Sequence, residues 1–338
     1  MSRSPLVSVC IANYEGIGLI DACLRSVLEQ EEGAAVEIIV HDDASRDGSV
    51  AHIRTHYPQV RLIESAQNVG FCIANNRMAA VARGEFLLLL NNDAELFPDG
   101  VRTLLAEARS LCRPAILTLP QYNAGTGELL DMGCLLDPFF NPVPNRNPAR
   151  GNVGTVHGAC LWLPKALWEE IGGFPVWFDS VGEDLYLCCR ARLAGYPVRA
   201  LATSGYRHRV GASFGGGKVS GGRLRSSVRR RALTERNKTF VMIITLPMFW
   251  ACLLLPLHFF LLVVEGMLLS LLNRRLALLR EIYLPVFGAL LRRRQELGAE
   301  RRKAMMSRHV SRLDFFTVFD WVPYKLRMLL RYGLPRVD

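Results

Sequence analysis

The sequence predicts an α/β fold, a doubly wound sheet over residues 1–217, with an apolar and basic helical region at the C-terminal end. Three observations carry this. Apolar runs of strand length alternate with segments of helical spacing about four times in the first ~110 residues. One of those runs, Phe86 to Leu90, leads directly into Asn91, Asn92 and Asp93. Far downstream, Thr239 to Val264 contains no charged residue.

Leu6 to Ala12 is an apolar, β-rich run, and Ile17 to Leu28 repeats apolar residues at helical spacing, giving a first strand and helix. Val36 to Val40 reads as a second strand ending at His41, Asp42 and Asp43. Ala44 to Ser49 is turn chemistry opening a helix that runs through His56. Arg61 to Glu64 is a third strand, Asn68 to Ala82 a helix, and Phe86 to Leu90 the fourth strand. From Pro114 to Val156 the pattern loosens into short strands and a Pro/Asn-rich loop, Asp137 to Gly151. A strand at Gly158–Leu163, helices at Lys165–Ile171 and Gly182–Ala194, and a late strand at Val198–Ala202 follow. Gly211 to Gly222 reads as a mobile loop or lid.

The charge is divided unevenly along the chain. Residues 1–217 hold 18 basic and 23 acidic side chains, whereas 218–338 hold 23 and 8, which places the overall +10 in the tail. A mildly acidic front joined to a basic, apolar back suits an anionic membrane surface, and no nucleic-acid partner is expected because an aromatic-interleaved polar face is lacking. The nine cysteines show no CxxC spacing, and no signal peptide is recognised before the first strand. Free thiols in a reducing compartment are expected, with the catalytic half on the cytoplasmic face of the cell membrane.

The uncharged stretch is long enough to cross a bilayer, but Pro247 and Pro256 are expected to divide it into pieces too short to span. Arg-rich segments flank it on both sides, Arg223 to Lys238 and Arg274 to Arg280. The expectation is therefore an interfacial or re-entrant helical pair rather than one transmembrane helix, with a buried core hairpin as the structural alternative. The expected organisation is a catalytic domain over 1–217, a basic linker over 218–238 and a membrane-associating helical region over 239–338.

Four polar clusters sit at strand ends or at the start of a helix: Asn13 with Tyr14, Asp42 with Asp43, Asn91 to Asp93, and Glu183 with Asp184. In open α/β sheets the carboxyl ends of strands converge on one ligand crevice. A hard carboxylate oxygen there suits a divalent cation on a phosphate-bearing substrate. Taken alone, Asn91 to Asp93 reads equally as an ordinary Asn/Asp turn.

In order along the chain, Val7-Ser8-Val9 through Asn13-Tyr14, Asp42 to Ser49, Asn68-Val69-Gly70-Phe71, Asn75-Asn76 and Leu90 to Asp93 resemble the nucleotide-binding half of family 2 glycosyltransferases with the GT-A fold. Gly158-Ala159-Cys160, Gly172-Gly173-Phe174, Glu183-Asp184, Arg190, Gly195-Tyr196, and His208 with Gly211 and Ser213 resemble the acceptor half. The likeness covers about residues 5 to 237. It implies a GT-A, nucleotide-diphospho-sugar transferase fold with a mixed sheet, and an inverting, metal-dependent transfer of a sugar to a hydroxyl. Among relatives with this pattern, rhamnosyltransferase-like members of surface polysaccharide assembly are frequent, and the apolar, basic tail adds the expectation that the saccharide or polysaccharide acceptor is lipid-linked.

The resemblance also implies residue roles. Asp42 would accept from the base or bind the ribose of the donor, with a helix cap as its plain alternative. Asn13, Tyr14, Asn68, Gly70, Asn75, Asn92 and Arg236 complete the expected donor site. Asp93 and His208 would hold Mg2+ or Mn2+ on the diphosphate. Asp184 would be the general base, against the alternative of a charge complementing the helix dipole, and Glu183, Gly158 and Ala159 would border the acceptor. The sequence departs from the family pattern at Asn91, where many relatives carry Asp, and at Tyr186 and Pro175, where acids are common. The rival reading from another class is a non-catalytic, membrane-bound nucleotide-sugar-binding protein. A dinucleotide oxidoreductase lacks support, since no GxGxxG follows the first strand.

Overall fold

The computed structural model describes residues 5–31, 35–209, 211, 216–220, 223–311, 313–333 and 336–337. They divide into two compact units. The first comprises residues up to Cys134 together with Pro144–Ala191 and Tyr196–Arg209; the second comprises Leu135–Val143, Arg192–Gly195 and Val210 onwards.

The first unit is built as the alternation of apolar runs dictates. Strand β1 (Val7–Asn13), helix α1 (Ile20–Leu28), β2 (Val36–Asp42), α2 (Ser49–His56), β3 (Arg61–Glu64), α3 (Phe71–Val81) and β4 (Phe86–Asn91) follow in order. Then come β5 (Ala94–Leu96), α4 (Gly100–Ser110), β6 (Ile116–Thr118), β7 (Gln121–Asn123), β8 (Leu129–Asp131), then β9 (Cys134–Leu136) and β10 (Pro142–Pro144), whose residues fall mainly in the second unit, and β11 (Cys160–Pro164). The unit closes with α5 (Lys165–Ile171), α6 (Glu183–Leu193), β12 (Val198–Ala200) and β13 (Tyr206–His208).

Seven strands form one sheet in the order β12, β6, β11, β4, β1, β2, β3. Strands β4, β1, β2 and β3 run parallel. Strand β11 is antiparallel to both β4 and β6, so the sheet is mixed. Leu87 to Leu90 are buried on both faces, which is why the run shows no polar alternation. Each such leucine contributes about 1.5–3 kcal/mol through removal from water. The strand order reverses at β1, with β2 on one side and β4 on the other. The carboxyl ends of β1 and β4 therefore border the crevice in which sheets of this kind take ligands. A second sheet, in the order β5, β13, β7, β8, sets His208 opposite Ala94.

In the second unit β14 (Gly216–Ser220) and β15 (Arg223–Ser226) precede α7 (Val228–Thr245), α8 (Met248–Leu272), a π-helical turn at Leu279–Tyr283, α9 (Leu284–Arg292), α10 (Arg294–Met306) and α11 (Tyr324–Tyr332). Three expectations are corrected here. Gly216–Ser220 is a strand paired with β15, while residues 212–215, 221 and 222 of the expected glycine-rich loop lie outside the described residues. Residues 228–238 of the expected linker are helical, because the Ser227 side chain caps α7 by accepting from the Arg230 N–H at 3.2 Å. Pro256 does not divide the apolar segment: α8 continues through it for 25 residues, about 37 Å at 1.5 Å per residue, long enough to cross a bilayer. Only Pro247 breaks the helix.

Helix α8 is the one described helix long and apolar enough for that, and 28% of its most apolar window is buried. Met248, Phe249, Leu253, Leu257 and Phe260 are exposed. Its buried side meets a network of charge. Glu235 accepts from Lys238 at 2.8 Å and from Lys325 at 2.6 Å; Glu265 accepts from the same Lys325 and from Arg231, each at 2.6 Å. Burial pushes the Glu235 carboxyl up, but Lys238, Lys325 and Arg231 outweigh it and hold the group well below the usual carboxylate range. The network joins α7, α8 and α11, with Glu235 and Lys238 buried at its centre and Lys325 partly exposed.

Candidate active site

Register places the donor-side residues. Asn13 ends β1 directly opposite Asp42, which ends β2. The Asn13 Nδ2 donates to Asp42 Oδ2 at 2.8 Å, and its Oδ1 accepts from Asn92 Nδ2 at 2.9 Å. All three are buried. Asp42 Oδ1 also accepts from the Ser45 N–H at 2.9 Å, so its carboxylate is oriented by two donors. Gly16 lies against this chain: a Cβ there would come within 2.1 Å of Asn13 Oδ1 and 2.4 Å of Asn92 Nδ2. That requirement for glycine escapes sequence reading, because no local turn signal marks it.

Asp43 has a different part. Its two oxygens accept from the Val69 and Gly70 N–H groups at 2.7 and 2.9 Å, tying the turn before α3 to the end of β2. Gly70 has φ of 87°, a conformation glycine adopts without strain. Beside it Asn68 is exposed, and Tyr14 is 53% exposed; both are open to a ligand. Asn75 has a local partner instead, its Nδ2 donating to the Phe71 carbonyl at 2.9 Å within α3. Asn76 exchanges two hydrogen bonds with the Phe174 backbone, at 2.8 and 3.0 Å.

Asp93 follows β4, and His208 ends β13. The pairing of β13 with β5 brings His208 Nε2 to 3.1 Å from Asp93 Oδ1, with the His side chain 13% and the Asp side chain 3% exposed. Among the described residues neither Asp93 Oδ1 nor His208 Nδ1 has a hydrogen-bond partner. Adjacent ligand atoms about an octahedral cation with 2.0–2.1 Å bonds stand about 3 Å apart. The pair therefore fits a divalent cation in spacing and donor type.

Asp184 lies in the first turn of α6. Its Oδ2 accepts from the Gly158 N–H at 3.2 Å and its Oδ1 from the Leu185 N–H at 2.7 Å. The next residue, Ala159, accepts from the Asn91 N–H at 3.2 Å. One short loop thus links the start of α6 to the end of β4, and Asp184 borders the same crevice. Glu183 is buried beside it. Arg190 donates to the Tyr186 hydroxyl at 2.8 Å, so the tyrosine found where acids are common serves as a packing partner. Arg236 belongs to the second unit, where its Nε donates to Asn237 Oδ1 at 2.8 Å.

The nearby thiols are not nucleophiles. Burial pushes Cys160 up to about 12 and raises Cys23 further, with the Asp93 and Glu95 charges adding to the second. Both are neutral packing groups at neutral pH.

Two family profiles match overlapping parts of the chain: "Glycosyl transferase family 2" over residues 8–171 and "Glycosyl transferase family group 2" over 140–291. Residues 8–171 belong to glycosyltransferase family 2. The N-acetylglucosaminyl-diphospho-decaprenol L-rhamnosyltransferase of Mycobacterium tuberculosis is 25% identical over 192 residues, which is 48% of this chain and 62% of that protein. The matches to the first curated relatives span only 23–32% of those proteins' lengths. Among solved structures, residues 1–349 of S. aureus TarS in complex with UDP superpose with TM-score 0.55 at 16% identity, covering 89% of this chain and 88% of that one. The mannosyltransferase PcManGT from Pyrobaculum calidifontis, in complex with GDP-Man and Mn2+, gives TM-score 0.54 at 18% identity, covering 90% and 87%. These similarities show the GT-A fold that the family resemblance implies.

Proposed function

We propose that this chain is an inverting glycosyltransferase that moves one sugar from a nucleoside diphosphate sugar to a hydroxyl of a lipid-linked saccharide at the cytoplasmic face of the cell membrane. The observation that carries the reading is the pair of buried Asp93 and partly buried His208, 3.1 Å apart beside the switch point of the sheet. It is flanked by the oriented Asp42 carboxylate on one side and by Asp184 on the other.

Asp42 retains lone pairs on both oxygens after its bonds to Asn13 and Ser45, and these accept from the base or ribose of the donor. Asn13 and Asn92 hold that carboxylate in place before the donor arrives. Asp93 and His208 would hold Mg2+ or Mn2+, which would supply charge neutralisation for the departing nucleoside diphosphate. Asp184 is fixed by two backbone amides and takes the proton of the acceptor hydroxyl as that oxygen attacks the anomeric carbon opposite the leaving group. A single in-line displacement of this kind inverts the configuration.

A membrane-tethered acceptor is supported by the exposed apolar residues of α8 and by the arginines at its flanks. An enzyme held at the interface meets such an acceptor at high effective concentration. The mycobacterial relative is named for rhamnosyl transfer onto a polyprenyl-diphosphate-linked sugar, which makes an activated rhamnose the first donor to try. Purified full-length protein incubated with native membrane extract and a panel of nucleotide sugars should release nucleoside diphosphate from one donor. Failure of every donor in the panel would refute the reading.

A further inference from the structure

A second cluster of ligating side chains stands apart from the Asp93 and His208 pair. Asp131 ends β8, Cys134 begins β9, and His157 lies in the loop before β11. One carboxylate oxygen, the Cys134 Sγ and the His157 Nε2 all lie within 4.8 Å of one another. Nε2 is the centre of the group, 3.4 Å from Asp131 Oδ2 and 3.5 Å from Cys134 Sγ. Bond lengths of about 2.3 Å to sulfur and about 2.0–2.2 Å to nitrogen and oxygen, at tetrahedral angles, place N and S about 3.6 Å apart and N and O about 3.4 Å apart. The observed spacings match both values.

The surroundings are those of a built site. Asp131 and Cys134 are buried, while the His157 side chain is 35% exposed and leaves an open side for a fourth ligand. Asp131 Oδ1 accepts from the Gly133 N–H at 3.1 Å, which turns Oδ2 toward the histidine. Cys134 is fixed by backbone bonds to Thr155 in both directions, 2.8 and 3.0 Å, so the two ligand-bearing segments are already joined.

We propose that Asp131, Cys134 and His157 bind one Zn2+ ion, with water as the fourth ligand. Thiolate and imidazole favour this softer ion over the hard cation suited to Asp93. Ligation requires the Cys134 thiolate, so the thiol proton is released to solvent on binding. His157 immediately precedes Gly158, whose N–H holds Asp184. The ion therefore pins the loop that positions the acceptor side, and it takes no part in the transfer itself.

Cobalt reports the site without recourse to activity. Full-length protein stripped with chelator and titrated with Co2+ should develop a thiolate-to-cobalt charge-transfer band that saturates at one equivalent and is displaced by Zn2+. The band should be lost in Cys134→Ser and His157→Ala and persist in Asp93→Asn, which separates this site from the donor-side cation. Zn2+ should also raise the Tm of wild type by about 5 °C at a hundredfold excess over Kd and leave that of Cys134→Ser unmoved. Circular dichroism of the metal-free variants confirms that they fold. Absence of the band in wild type, or its survival in folded Cys134→Ser, overturns the proposal and leaves the three groups as a hydrogen-bonded triad.

Discussion

The Asp93 carboxylate lies 3.1 Å from the His208 imidazole, although the two residues stand 115 positions apart in the sequence. The sheet explains the meeting: β13 returns antiparallel to β5 and sets His208 opposite Ala94, the residue after Asp93. Two buried ligand-type atoms at this spacing predict a cation site. Asp93→Asn and His208→Ala should each weaken Mn2+ binding, measured by the protein's effect on the free Mn2+ resonance signal, by about 10- to 100-fold or more. Unchanged Mn2+ affinity in both variants would remove the metal role from this pair.

Gly16 provides a test of the donor side that leaves the metal-binding pair and Asp42 themselves unchanged. A Cβ at that position reaches the two side-chain atoms that bond Asn92 to Asn13. Gly16→Ala should break the bond and let Asp42 lose its orientation, at about 1–3 kcal/mol. Calorimetric titration with the nucleoside diphosphate should show affinity lowered by about tenfold or more, and wild-type affinity would disconnect this chain of side chains from donor binding.

In the second unit, the depressed Glu235 carboxyl makes stability depend on pH. Because the folded value lies below the unfolded one, the contribution is fully present above the ordinary carboxylate value of about 4.3 and is lost as pH falls through the folded value. Glu235→Gln leaves Lys238 and Lys325 without their buried partner and should cost about 3–5 kcal/mol at neutral pH. Denaturation profiles should show the gap between wild type and variant narrowing below about pH 4. A gap independent of pH would contradict the ion-pair account.

The apolar face of α8 predicts attachment to anionic vesicles. Leu253 and Phe260 are 55% and 63% exposed, and glutamates at both positions should lower co-sedimentation with such vesicles by about tenfold or more through desolvation cost and repulsion. Equal sedimentation of the double variant would assign that face to something other than lipid.

The central strands of the sheet are legible because β1 and β4 are buried on both sides. Arg61–Glu64 and Lys165–Ile171 appear with the expected bounds, and Val7–Asn13 and Phe86–Asn91 differ from expectation by a residue. Helix α4 was missed although Val101, Leu104 and Leu105 supply a helical face, since the strand end before it drew the attention of the pattern. Strand β13 is three residues long and carries too little periodicity to read. Pro256 misled because a proline inside a helix removes one hydrogen bond and adds a clash, and the surrounding apolar residues of α8 tolerate both. Asp42, Asp93 and Asp184 could be named from strand ends and family motifs. The bonds among Asn13, Asp42 and Asn92, the demand on Gly16 and the cluster at Asp131, Cys134 and His157 depend on strand register, which one sequence does not display.

The central claim is that Asp184 removes the acceptor proton during sugar transfer. Transfer by wild type and by Asp184→Asn should be followed as acceptor-dependent nucleoside diphosphate release with Mn2+ present, alongside calorimetric donor affinity. The account predicts kcat lower by about 10²- to 10⁴-fold in the variant, with donor affinity unchanged. Turnover of Asp184→Asn at the wild-type rate would contradict it.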